Sequence, residues 1–110
     1  MSKLVPKFIP LTSIDSADIS SSYQPINSDG LPQPCLNITI NNSSNQDAIF
    51  SLDGVTAHFV VQKTTSFVYF SNAYSATTPD TVKFSRGTVF YVKGTAGTGL
   101  IYLSGTYLEQ

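Results

Sequence analysis

The sequence predicts an all-β fold: an antiparallel β-sandwich, jelly-roll-like and built as a single domain, preceded by an extended N-terminal arm. Three observations predict it. No stretch sustains the 3.6-residue apolar period of an amphipathic helix. From Leu36 onward, about six short runs rich in β-branched and aromatic residues recur at roughly 8–12-residue spacing between polar turns, the pattern of a sandwich or small barrel. The 110 residues, 41% of them hydrophobic, suffice for one two-layer core that buries roughly 65% of the unfolded surface, but not for a second. The organisation that follows is an arm over residues 1–35 and a sandwich over 36–110.

The arm is set apart by proline. Pro6, Pro10, Pro25, Pro32 and Pro34 fall in it, leaving only Pro79 elsewhere. Each removes a backbone donor and biases its predecessor toward extended conformations, so a long helix and most central-strand roles are excluded. Short apolar beats survive between the prolines and need somewhere to lie, either over the arm's own domain or on a neighbouring copy. Leu4, Val5, Phe8, Ile9, Leu11, Ile14 and Tyr23 are therefore the candidate interface residues.

The body then takes up a period of two. Leu36, Ile38 and Ile40 alternate with Asn37 and Thr39, a half-buried strand followed by the polar loop Asn41–Gln46. Ala48–Leu52 and Val55–Val61 flank Asp53-Gly54, which predicts a tight type I′ hairpin with Ala57, Phe59 and Val61 inward and Thr56, His58 and Val60 outward. Lys63–Ser66 turns the chain into Phe67–Phe70, and a loose loop over 71–81 precedes the last two runs. These runs, Thr88–Lys93 and Leu100–Ser104, flank the small-residue loop Gly94–Gly99 and read as an antiparallel hairpin. Phe90, Val92, Ile101 and Leu103 would share one face, and Tyr91, Lys93, Tyr102 and Ser104 the other.

Charge and cysteine content exclude several function classes. Charged residues make up 12% of the chain, net −1, about half the usual ~25% share. No strong field exists to attract nucleic acid or anionic lipid. Ser and Thr fill about a quarter of the chain, a surface that is cheaper to desolvate against a neighbour than a charged one. Cys35 is the single cysteine, so no intrachain disulfide and no thiolate metal cluster can form. The first residues lack the apolar core of a secretion signal, and no apolar run approaches the ~20 residues of a membrane-spanning helix. Cytosolic synthesis is the expectation.

Chemistry-bearing residues are few. Cys35 and His58 could act as a nucleophile pair only if the fold joined them and added an orienting group and an oxyanion donor; a lone strand histidine is more simply structural. Asp15, Asp18 and Asp29 do not match the alternating ligands and fixed glycine of a calcium loop, and with Glu109 the single glutamate no carboxylate pair for glycoside hydrolysis suggests itself. Gly94-x-x-Gly97-x-Gly99 is followed by a strand rather than a helix and holds no lysine, which makes it a turn and not a phosphate cradle. The sequons at Asn37, Asn41 and Asn42 arise from an Asn/Ser-rich segment. Tyr69, Tyr74, Tyr91, Tyr102 and Tyr107 could present an aromatic face for sugars or proteins. The expectation is a chain with no catalytic site, no metal and no cofactor.

Several stretches together resemble a known group: Asn42–Asp47, Ile49–Gly54, His58–Val61, Arg86–Thr88, Phe90–Gly94 and Thr98–Ser104. Over about residues 12–107 the chain is similar to small virion structural proteins of tailed bacteriophages. The resemblance implies a β-sandwich particle component that decorates or cements the capsid, or forms part of the neck or tail. Its implied partners are copies of itself and other virion proteins, major capsid or neck/tail proteins, without nucleic acid or membrane. It implies a location in the virion, assembled in the host cytoplasm, and brings no active site. The rival expectation is a carbohydrate- or receptor-binding module of a tail fibre, with Tyr69, Tyr74 or Tyr102 as platform.

Overall fold

The computed structural model describes residues 5–70 and 84–109. They form an all-β sandwich of two antiparallel sheets with no α-helix among them; a single 3₁₀ turn, Ser16–Asp18, is capped by the Asp15 carboxylate. The strands are β1 (Val5–Phe8), β2 (Thr12–Asp15), β3 (Gln24–Pro25), β4 (Asn37–Asn42), β5 (Ala48–Ser51), β6 (Phe59–Val61), β7 (Thr65–Phe70), β8 (Tyr91–Gly94) and β9 (Leu100–Glu109). One sheet has the order β1-β9-β4-β7 with β2 also on β9, and the other β3-β8-β5-β6.

Period-two alternation places the core. Ile38 and Ile40 of β4 and Ile101 and Leu103 of β9 face Ala48 and Phe50 of β5, Val61 of β6 and Val92 of β8 across the interlayer space, and all are buried. Leu36, expected inward, is half-buried ahead of β4. On one side an aromatic stack joins the layers: Phe50 lies on Phe59 with centroids 5.3 Å apart, and Phe59 on Phe67 at 4.4 Å. Such ring pairs add about 0.5–1.5 kcal/mol beyond the area they bury.

Two expected hairpins are corrected. β8 and β9 do not pair: β8 lies between β3 and β5 in one sheet, and β9 between β4 and β1/β2 in the other. Phe90, Val92, Ile101 and Leu103 do all face the core, but from opposite layers. Alternation reports which side of a strand is apolar, and that side is the same whether the loop between two strands is a hairpin or an arch between sheets. The loop is stitched instead to its surroundings: Ser16 N–H donates to Gly99 O at 2.9 Å, and Asn45 N–H to Thr98 O at 3.1 Å.

The second correction concerns Asp53-Gly54. β5 does pair with β6, Phe50 opposite Phe59, but across residues 52–58 rather than a two-residue turn. A type I′ turn needs positive φ at both central positions, and of this pair only Gly54 has it, at 78°. The Asp53 carboxylate organises the wider loop, accepting from Ser51 Oγ at 2.8 Å, Val55 N at 2.8 Å and Thr56 N at 2.7 Å. Ala57 is left exposed, while Val61 is buried and Phe59 half-buried as expected. The bonds from Thr56 and Val55 hold the Asp53 carboxyl well below the usual carboxylate range. A depressed folded pKa gives stability that is present above the unfolded value and lost as pH falls through the folded one. Wild-type stability should therefore fall below pH ~4 more steeply than that of Asp53→Asn, in urea titrations at matched pH.

The proline-rich leader lies along its own domain. Ile9, Ile19, Ile26, Leu31 and Cys35 join the same core as the later strands. Asn27 supplies what a strand would: its Nδ2 donates to Thr88 O at 3.0 Å, and its Oδ1 accepts from Phe90 N at 2.8 Å. The loop expected over 71–81 lies outside the described residues.

Candidate functional site

The leader's first strands build the most distinctive surface. β1 pairs with the end of β9, Val5 opposite Glu109 through Phe8 opposite Thr106, and β2 pairs farther along the same edge, Thr12 opposite Leu103 through Asp15 opposite Leu100. Between these ladders three residues, Ile9, Pro10 and Leu11, face two on β9, Ser104 and Gly105. That is a β-bulge, which bends the edge strand and shifts its alternation by one. Before it, odd residues lie on the core side, ending with buried Ile9; after it, even residues do, with Thr12 and Ile14 half-buried. Without the extra residue Leu11 would point inward; with it, Leu11 is 62% exposed.

Beyond Thr106, β9 has no described partner except β1, since β4 begins at Asn37, opposite Thr106. The two strands extend past β4 as a ribbon. All residues of β1 are exposed, Phe8 at 76% and Val5 at 43%. Of the other candidate residues, Tyr23 is half-buried with the Lys93 ammonium 4.7 Å from its ring centroid, and Leu4 lies outside the described residues. The structure thus leaves Val5, Phe8 and Leu11 exposed along one edge strand, Phe8 and Leu11 on its outer face and Val5 on the opposite one, turns Ile9 inward, and engages Tyr23 with its own domain.

The chemistry-bearing residues separate. Cys35 is fully buried beside Phe84, bonded to its backbone in both directions, and burial pushes its thiol pKa up. His58 is exposed in the β5–β6 loop, where its Nδ1 accepts from Leu52 N at 3.0 Å. Each is engaged with its own neighbours. Native Cys35 should react with an aromatic disulfide reagent about two orders of magnitude more slowly than in denaturant, because the thiolate is the nucleophile and needs access. Equal rates would contradict its burial.

Asn42 is fully buried and cannot present a sequon. Its Nδ2 donates to Gln46 O at 2.9 Å and Val61 O at 3.0 Å, and its Oδ1 accepts from Ser44 N at 3.0 Å and Ser44 Oγ at 2.6 Å. Expected in a polar loop, Asn42 instead ends β4, and its phase with Ile38 and Ile40 is the sequence signal that it faces the core. Of the sugar-platform tyrosines, Tyr69 lies on β7 opposite Ile38, Tyr102 is half-buried and Tyr74 lies outside the described residues; Tyr91 and Tyr107 are half-buried. No group of three or more His, Cys, Asp or Glu suited to a metal occurs among the described residues, and none of their helices is long and apolar enough to cross a membrane.

No family model matches the chain, and no curated protein does. Among solved structures it is similar to a protein of Bacillus endospore appendages, described as a family of disulfide-linked pili, with 17% identity, a TM-score of 0.51, and coverage of 97% of this chain and 89% of that one. It also aligns with the Dit protein (gp 19.1) of phage SPP1, described as part of a hub adsorption apparatus in phages infecting Gram-positive hosts, at 13% identity and a TM-score of 0.43. That alignment covers 93% of this chain, which spans about half (49%) of the Dit protein. The first likeness shows the sandwich fold.

Proposed function

We propose that this chain is a structural subunit of a bacteriophage virion, a non-enzymatic piece that decorates or cements the capsid or builds the neck or tail. Its partners are copies of itself and the neighbouring capsid or neck/tail proteins, and it is assembled with them in the host cytoplasm. The observation that carries this reading is the exposed apolar pair Phe8 and Leu11 on the outer face of the edge strand, next to a ribbon carrying Val5 that reaches past β4. A side chain such as Phe8 gains by leaving water, at about 25 cal/mol per Å² of apolar surface covered. Repetition on a symmetric particle converts one such weak contact into firm attachment through effective concentration. The motif resemblance to phage virion proteins supports the same reading. The endospore appendage protein gives a sandwich of this kind in a pilus, although those pili are disulfide-linked. Here the single thiol is buried, so assembly should not respond to reductant.

Quantitative mass spectrometry of purified particles tests the proposal. Wild-type chain should be present at a stoichiometric copy number, hundreds for a head protein and six or twelve for neck or tail. Removal of residues 1–8, which spares buried Ile9, should lower occupancy at least tenfold while the truncated chain still folds. Absence of the wild-type chain from particles would overturn the reading.

A further inference from the structure

Resting on the structural-subunit reading, we infer that the leader is exchanged between copies: residues 5–9 of one chain pair with β9 of a neighbour in the assembled state. The observations are the ladder, its free edge and its hinge.

In an antiparallel ladder, alternate residues direct their N–H groups to the same neighbour. Ile9 N–H donates to Gly105 O at 3.0 Å, so Val5 and Lys7 also point theirs toward β9. Pro6, Phe8 and Pro10 then direct their backbone nitrogens away from the sheet, and two of these three carry no proton. The outer edge of the leader is a poor template for another strand, the device by which natural sheets avoid growing edge to edge. Addition of a neighbour's strand outside β1 is disfavoured. What remains open is the inner side of β1, which meets β9.

That contact is also supported by little beyond its own ladder. β1 is exposed at every residue, and its partner, β9 beyond Thr106, is paired by β1 alone among the described strands. A two-stranded ribbon is marginal by itself. Ile9 is the one buried residue of the segment, at 6% exposure. It sits by Gly105, where even a methyl group would come within 3.0 Å of Ile38 Cδ1 and Asn37 O. Every chain offers this same ladder and the same seat for Ile9, so exchange preserves each native contact. Pro10 and Leu11 form the hinge: the bulge is already bent, and proline favours the extended form a crossing chain requires. With contacts equal in both forms, the outcome depends on how close the next copy is held, and a particle lattice holds it close.

Phe8 and Thr106 are opposite one another, and Cys35 is buried, so two introduced thiols read the connection. Full-length Phe8→Cys and Thr106→Cys chains are mixed at a concentration where size-exclusion shows oligomers, oxidised mildly, and analysed without reductant. Exchange predicts a disulfide between the Phe8→Cys thiol of one chain and the Thr106→Cys thiol of another, at twice the chain mass, identified by peptide mapping and lost on reduction. The double variant Phe8→Cys/Thr106→Cys supplies the control, since opposed residues must cross-link either within or between chains. Cross-linking solely within chains while oligomers persist would overturn exchange and leave the subunit reading standing on another face. Absence of any cross-link in the double variant would overturn exchange as well, because β1 would not then lie on β9. A chain monomeric at every concentration and missing from particles would remove both.

Discussion

Asn42→Ala lowers the thermal midpoint of this protein by about 15 °C, from a loss of roughly 3 kcal/mol at ~4–8 °C per kcal/mol for a domain of this size. The side chain removed is fully buried and bonds four groups from two segments, β6 and the loop after β4: the Gln46 and Val61 carbonyls, the Ser44 amide and the Ser44 hydroxyl. Alanine leaves the Val61 carbonyl and the Ser44 amide without this partner, while the Ser44 hydroxyl can still donate to the Gln46 carbonyl at 3.0 Å. Each unsatisfied buried group costs about 1–3 kcal/mol, although relaxation lets some find water. The isosteric change Asn42→Asp separates hydrogen bonding from packing. It keeps the acceptor for Ser44 but turns the donor into oxygen against two carbonyls, so it should destabilise at neutral pH at least as much as alanine. Calorimetry at pH 7 decides; a loss within ~0.5 kcal/mol, as for an ordinary surface change, would mean the network is not formed.

Gly30→Ala is expected to be comparably costly, about 3 kcal/mol, from left-handed backbone strain of ~1–2 kcal/mol plus overpacking of ~1–3 kcal/mol. Gly30 has φ of 79°, and a methyl group there would lie 2.6 Å from Gly87 O and 2.7 Å from Gly87 Cα. Those are backbone atoms, tied down by Gly87 N–H to Leu31 O at 2.8 Å and Leu31 N–H to Thr88 O at 3.0 Å. Gly87→Ala provides the comparison. Its φ is also positive, at 88°, but nothing lies within 4 Å of the added methyl. Strain alone acts there, and about 1–2 kcal/mol is expected. Denaturant titration of the two variants should separate them; equal losses would show that φ, and not the close approach of the two turns, governs the site.

These positions show where the fold is secured against the freedom its small, weakly charged surface leaves. Asn42 fastens the loop after β4 to β6 in the other sheet, and the Gly30–Gly87 contact fastens the leader to the approach of β8. Both lie away from β1. The proposed exchange of residues 5–9 therefore leaves the elements that hold the sandwich closed intact, and loss of residues 1–8 should affect assembly more than folding.

The candidate surface was legible in part. The sequence marks Val5, Phe8 and Leu11 as apolar residues of the leader, and the structure leaves all three exposed. The bulge was not legible: apolar Ile9 and Leu11, with polar Thr12 between Leu11 and Ile14, continue an odd parity in the sequence, and only the half-burial of Thr12 and Ile14 in place of Leu11 shows the extra residue. Burial of Ile9 by Gly105 could not be read, because Gly105 is far away along the chain and carries no side chain to advertise a seat.

The chain's local chemistry determined by itself that the body forms strands and, for most of them, which face is apolar. Those properties follow from residue-to-residue alternation and from backbone stereochemistry, both of which act over a few positions. Tertiary structure alone decided which strands are neighbours. Gly94–Gly99 serves an arch between sheets as readily as a hairpin, and Phe90, Val92, Ile101 and Leu103 are equally inward in either. The choice goes to the arrangement that pairs β9 with β4 and β8 with β5, because backbone hydrogen bonds and core volume must be satisfied by segments far apart along the chain.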